Sequence, residues 1–168
     1  MNKSLVLTGM MGVGKSTIGR LIAKRLNLKF IDVDKVIERN QKKSIKRIFE
    51  DSGEQYFRKL EEKITFKILK NKRAVIALGG GAFMNSAIRE KVLKSCVSIW
   101  LKVGLEKLIS RYKKNDRRPL LKKKNLDTDV KKIYQTRKKI YKLANFKINC
   151  DNISKPKVVE KILVFYEN

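Results

Sequence analysis

The clearest chemistry in the chain lies in Gly9-Met10-Met11-Gly12-Val13-Gly14-Lys15-Ser16, with Thr17 after it, which fits G-x-x-x-x-G-K-[ST]. Glycines let the backbone curl until successive N–H groups point inward. The start of a following helix adds partial positive charge. Such a loop cradles a polyphosphate. Lys15 is placed to reach β- and γ-phosphates, and the Ser16 hydroxyl to ligate Mg²⁺. Gly12, Val13, Gly14, Lys15, Ser16 and Thr17 are the expected nucleotide-binding residues. A glycine-rich turn with no ligand is the alternative. Context argues against it, because the pattern follows a predicted strand and opens a predicted helix.

A phosphate loop needs a carboxylate nearby. Many enzymes of this kind end a neighbouring strand with a magnesium-binding Asp. Here the third predicted strand ends in Leu78-Gly79-Gly80-Gly81 instead. The available carboxylates are Asp32 and Asp34, at the end of the second strand. Strand alternation puts both on one side, near the loop. Asp32 is the candidate for holding Mg²⁺ through water, and Asp34 for facing an acceptor hydroxyl. An Asp just before a helix is also an ordinary N-cap, and either residue could serve only as that.

The elements that must position these groups alternate. Strands are predicted at Ser4–Thr8, Phe30–Val33, Ala74–Leu78, Val97–Leu101 and Phe146–Asn149. Helical patterns fall at Lys15–Leu26, Asp34–Asn40, Ser44–Asp51, Glu54–Leu69, Ser86–Leu93, Leu105–Tyr112, Thr128–Leu143 and Val158–Tyr166. Asp116–Leu126 lacks apolar periodicity and reads as a loop. Alternation of this kind implies right-handed crossovers and a parallel sheet covered on both faces. Ligands then belong at the C-terminal ends of the strands. No repeat or linker divides the chain, so its 168 residues read as one α/β domain.

Composition excludes other chemistries. The chain has no His, which removes Ser-His-Asp and Cys-His catalysis and any histidine switch. Cys96 and Cys150 are far apart, with no C-x-x-C, so a disulfide framework or cysteine zinc site is not expected. That suits a reducing cytosol. The longest apolar runs are about five residues, far below the ~20 that span a bilayer. Net charge is +26, from 42 Lys and Arg against 16 acidic residues. Between Lys107 and Lys147 there are 16 basic and 3 acidic residues, a net of +13. No RNA-binding aromatic pattern, KH loop or zinc finger accompanies them. A small polyanionic substrate accounts for the local charge as well as a nucleic acid does, and nucleic acid is not the expected ligand.

Taken together and in order, these motifs resemble the shikimate kinase family over nearly the whole chain. They are Gly9–Thr17, Asp32-Val33-Asp34, Gly53-Glu54-Gln55-Tyr56-Phe57-Arg58 with Glu61, Leu78–Gly81, Arg118-Pro119-Leu120-Leu121, and Arg137 with Tyr141. The resemblance implies a nucleoside-monophosphate-kinase-like three-layer fold with a five-stranded parallel sheet in the order 2-3-1-4-5. It implies ATP-dependent phosphorylation of the 3-hydroxyl of shikimate, on the route to chorismate, with one Mg²⁺ per subunit. By that resemblance Asp34 orients or deprotonates the attacking hydroxyl, and Arg58 and Arg137 hold the substrate carboxylate. Gly79, Gly80 and Gly81 approach the substrate, with Gly80 offering its N–H. Arg118 reaches the ATP phosphates from a lid at about 112–126, and Arg111 stacks on adenine. The substrate-binding helices are expected at about 34–62. A cytoplasmic monomer is expected.

Two features depart from the family pattern. Lys139 stands where a proline is usual, and Tyr141–Ala144 is one residue short. Other kinases of the same fold, acting on gluconate or a nucleoside monophosphate, are the rival enzymes. A phosphate-loop protein that binds nucleic acid is the rival of another class.

Overall fold

The structure, a computed structural model, describes residues 3–70, 73–113 and 125–167. Five parallel strands form one sheet in the order β2-β3-β1-β4-β5. They are β1 (Ser4–Thr8), β2 (Lys29–Asp32), β3 (Ala74–Ala77), β4 (Cys96–Lys102) and β5 (Phe146–Asn149). Leu5, Val6, Leu7, Val75, Ile76 and Ile99 on the three inner strands are sealed from solvent. Strands buried on both faces are apolar at nearly every position, which explains their near-continuous hydrophobic runs, with Ser98 in β4 and Thr8 in β1 as buried exceptions.

Helix α1 (Lys15–Arg25) carries the chain from β1 out to the edge strand β2. The other crossovers run the opposite way along the sheet, through α2 (Val33–Gln41), α3 (Ile45–Leu69), α4 (Ser86–Ser95), α5 (Leu105–Lys113) and α6 (Leu126–Tyr141). Right-handed connections therefore place α1 on one face and these helices on the other. The last helix, α7 (Lys155–Glu167), packs on α1 and β5. A short 3₁₀ turn, Ala82–Met84, follows β3 and touches α3, α4 and α6.

Two expectations change in detail. Val33 is not the last residue of β2 but the first of α2. Strand alternation therefore does not bring Asp34 to the site; the first turn of α2 does. The predicted helices at Ser44–Asp51 and Glu54–Leu69 are joined in α3, with Gly53 as the break between them at φ 78°, ψ 172°. The predicted lid at 112–126 begins on α5 and ends on α6, and its central residues 114–124, with Arg118 among them, lie outside the described residues.

The sheet's outer side is fastened by polar contacts between distant segments. Asn145 Oδ1 accepts from both the N–H and the hydroxyl of Ser98, at 2.9 and 2.7 Å, while its own N–H donates to Ser98 Oγ at 2.9 Å. Ser98 is fully buried in β4. Removing the acceptor leaves a buried donor unpaired, at a cost of about 1–3 kcal/mol. Asn145→Ala should therefore lower the melting temperature, at about 2–4 °C per kcal/mol for a chain of this size. Asn145→Asp keeps the acceptor oxygens and should fall less. Thermal melts of both variants by circular dichroism check this; equal losses would remove the acceptor from the explanation.

Candidate active site

Three strand ends build the site. The loop after β1 is the phosphate loop, held in shape by glycines at φ 136° (Gly9), 70° (Gly12) and 103° (Gly14). Gly9 also passes so close to β4 that a Cβ there would lie 2.6 Å from the Leu101 carbonyl oxygen. Lys15 opens α1, and its ammonium donates to the carbonyls of Gly9 and Met10 at 2.8 and 2.9 Å. From the far side α5 braces the loop. Arg111 donates to the Gly12 carbonyl at 2.9 Å, and the Tyr112 hydroxyl to the Met11 carbonyl at 2.6 Å. Arg111 thus stands beside the phosphate loop. Val13 is buried and Thr17 is exposed on α1.

Beyond β2 the two aspartates separate in role. Asp32 is the N-cap of α2, accepting from the Lys35 N–H at 3.3 Å through Oδ1. Its other oxygen accepts from the Ser16 hydroxyl at 2.5 Å. The capping reading is therefore true of Asp32, which still joins the phosphate loop, and not of Asp34. Asp34 sits inside the first turn of α2. Burial pushes its carboxyl above the ordinary value, Lys15 pulls it back, and Asp32 and Glu38 add to the rise.

The third wall is Gly79–Gly81 after β3. A Cβ at Gly79 would fall 2.5 Å from Glu61 Oε1 and 2.7 Å from Asp34 Oδ1. Two carboxyl groups thus face one another across this residue, and only glycine leaves room for both. A Cβ at Gly81 would likewise strike the Arg58 guanidinium. Arg58 is pinned on α3 between two acids, donating to Glu61 Oε2 at 2.7 Å and to Glu54 Oε1 at 3.0 and 3.2 Å. Arg137, buried on α6, donates to the Gly80 carbonyl at 3.1 Å, and the Tyr141 hydroxyl one turn on donates to the same oxygen. The arrangement brings Lys15, Ser16, Asp32, Asp34, Arg58, Gly79–Gly81 and Arg137 to one edge of the sheet.

Two participants escaped the list of expected site residues. Glu61 is 1% exposed, and its Oε1 accepts no hydrogen bond among the described residues. Burial raises its proton affinity above the ordinary carboxyl value, against the pull of Arg58. Tyr141, also buried, has its hydroxyl pushed well up by burial, so it stays a neutral donor. Spacing offered one signal for Glu61: it stands three residues after Arg58, on the same helix face.

The arrangement gathers a lysine ammonium at a glycine-rich loop, two buried carboxyl groups and two guanidiniums around one glycine turn. Known proteins share this fold and sequence. A family model described as shikimate kinase matches residues 11–167. The chain is 40% identical over 161 residues to the shikimate kinase of Sulfurihydrogenibium sp. (strain YO3AOP1), covering 96% of each. A shikimate kinase from Acinetobacter baumannii, solved in complex with shikimate, is similar with a TM-score of 0.93 at 30% identity, covering 99% of this chain and 93% of that one. A gluconokinase from Sinorhizobium meliloti 1021 gives 0.59 at 14% identity over 97% of this chain and 90% of that one, a likeness of fold alone.

The facing carboxyls have a consequence for stability. Both hold their protons more tightly than the ordinary values of 3.8 for Asp34 and 4.5 for Glu61. A raised acid contributes stability that is complete below its unfolded value and is lost as pH rises through the folded one. The double variant Asp34→Asn/Glu61→Gln should therefore lose less melting temperature than the parent as pH rises above 4.5. Melts from pH 4 to 8 decide it, and parallel curves would refute the shared burial.

Proposed function

This chain belongs to the shikimate kinase family, and from that premise we propose that it transfers the γ-phosphoryl group of ATP to the 3-hydroxyl of shikimate, giving shikimate 3-phosphate and ADP. The observation that carries the reading is the convergence of Asp34, Arg58 and Arg137 on the Gly79–Gly81 turn, beside Lys15. A small hydroxylated carboxylate needs that combination, with paired guanidiniums for its carboxylate and a carboxyl group for its hydroxyl.

Phosphoryl transfer asks the protein for alignment and charge neutralisation more than for covalent chemistry. The N–H groups of Gly12–Thr17 and the Lys15 ammonium take the phosphates. For the ammonium this means leaving the Gly9 and Met10 carbonyls. Asp34 accepts from the attacking hydroxyl and points its oxygen lone pair at phosphorus. Arg58 and Arg137 fix the far end of the ring, and the Gly80 N–H meets the substrate where no side chain intervenes. By the family resemblance Arg118, which lies outside the described residues, is the arginine that would meet the ATP phosphates, and Arg111 turns to the adenine.

Magnesium fits the oxygen donors present. Ser16 Oγ and Asp32 Oδ2 are hard ligands 2.5 Å apart. Among the described residues no cluster of three or more acidic or sulfur side chains could hold a metal unaided. The pair of hard oxygens suits Mg²⁺, which keeps several waters and leans on substrate phosphates. Ser16 would hold one ion per subunit directly and Asp32 through water, and the ion would neutralise phosphate charge. Among the described residues no helix is long and apolar enough to cross a membrane.

A coupled ADP-release assay offering shikimate, gluconate and nucleoside monophosphates tests the reading, with turnover expected on shikimate alone. Turnover on gluconate or a nucleotide instead would assign the chain to a neighbour of the same fold. Within the site, Arg58→Ala or Arg137→Ala should weaken shikimate binding about ten- to a hundredfold, since charge-assisted hydrogen bonds contribute roughly 1.5–3 kcal/mol. ATP affinity should hardly change, and Arg58→Lys should restore only part, lacking the planar fork. Calorimetry with each ligand reads this directly.

Asp34→Asn separates chemistry from folding more cleanly than sequence alone allowed, because Asp32 holds the helix cap. General-base contributions run to about 10²–10⁴-fold, and a loose transition state needs little early deprotonation. Turnover should fall about 10²-fold with the melting temperature within a few degrees of the parent. A folded variant with near-parent turnover would return Asp34 to a structural role.

A further inference from the structure

Edge strand β2 and the outer face of α2 border an open cavity of about 650 Å³ that the phosphoryl-transfer site does not use. Lys35, Glu38 and Arg39 line it from one stripe of α2, at the three- and four-residue spacing of a helix face, and Lys42, the left-handed residue that ends the helix, lines it as well. Asp34, one turn before Glu38, does not line it. Arg20 of α1 stands over the Phe30 ring, 5.3 Å from its centroid. The ring is seated so closely on α1 that a Cβ at Gly19 would come within 2.3 Å of it. Phe30 is therefore a fixed apolar wall.

The charges in this cavity do not balance. Five cations, with Lys43 the fifth, meet two carboxylates, and both carboxylates are already engaged. Asp32 takes the Ser16 hydroxyl and the Lys35 N–H. Glu38 takes the Lys35 ammonium at 2.7 Å and the Ile45 N–H at 3.1 Å. Lys43 pairs with Asp51 at 2.8 Å. Among the described residues Arg20, Arg39 and Lys42 have no carboxylate partner. Ser44, the N-cap of α3, lines the same space, so the partial positive charge of that helix start adds to theirs.

We propose that this cavity is a second anion site, separate from the phosphate loop, for a small phosphorylated molecule carrying two or more negative charges. Three uncompensated cations, two of them guanidiniums, match the several oxygens of a phosphate group better than a single carboxylate. The volume lies within the usual ~300–1,000 Å³ of small-molecule sites. Asp32 is the wall common to both places, bonded to Ser16 on one side and lining the cavity on the other.

Inorganic pyrophosphate is the probe. The full chain is first saturated with ADP and shikimate, without magnesium, so that the phosphate loop and the substrate site are filled. Calorimetry should then show one further saturable site per chain. Arg39→Glu/Lys42→Glu should weaken it at least tenfold while leaving turnover and circular dichroism unchanged. Lys91→Glu/Lys94→Glu on α4 makes the same change in net charge away from the cavity and should alter affinity by less than about twofold. Absence of saturable binding to the loaded enzyme would overturn the proposal. Equal weakening by both double variants would overturn it too, by assigning the effect to overall charge.

Discussion

The Arg58–Glu61 ion pair is the interaction around which the site is arranged. It is 2.7 Å long and its carboxylate is 1% exposed. A buried pair gains little stability on balance, because desolvation offsets attraction, yet removing one partner strands a charge at about 3–5 kcal/mol. Its value here is positional. Glu61 on one side and Glu54 on the other hold the guanidinium against the glycine turn. With Arg58 restrained, Asp34 faces Lys15 and the glycine turn. The glycines follow from the pair as well, since any side chain at Gly79 or Gly81 would occupy the space that Glu61, Asp34 and Arg58 fill.

Scarcity of acids gives this arrangement its character. Sixteen acidic residues share a chain with 42 basic ones, and four of those on α2 and α3 are in short-range exposed pairs: Lys35–Glu38, Lys46–Glu50, Arg47–Asp51 and Arg58–Glu54. Such exposed pairs contribute well under 1 kcal/mol each. They also lower repulsion along two helices that carry much positive charge. The remaining excess surrounds a site whose ligands are anions, and a field of one sign raises their encounter rate.

Much of this was legible in the sequence, for a physical reason. The phosphate loop is a local object, and its glycines and lysine act within eight residues. Sheet order and the family's paired arginines came with the resemblance, and the structure places both arginines at the glycine turn. What stayed hidden depends on contacts between distant segments. That Asp32 rather than Asp34 caps α2 turned on one residue of boundary between strand and helix. The unpartnered oxygen of Glu61 exists because β3 ends where α3 passes. Tyr141 was quoted only as a motif neighbour of Arg137, although its hydroxyl and the Arg137 guanidinium meet on the Gly80 carbonyl from successive turns of α6. Arg111 rests on the phosphate loop here, a contact across 99 residues of chain that no local pattern encodes.

The resting posture of Lys15 gives the loop a threshold. Its ammonium is not waiting in solvent; it is held by two carbonyl oxygens of its own loop. A hydrogen bond to a charged group is worth roughly 1.5–3 kcal/mol, so an incoming anion must outbid both carbonyls before it recruits the lysine. A polyphosphate, which also takes the loop's N–H groups, gains enough to release the ammonium and turn it outward. The loop thus behaves less like a magnet for negative charge than like a latch that a chain of phosphates opens.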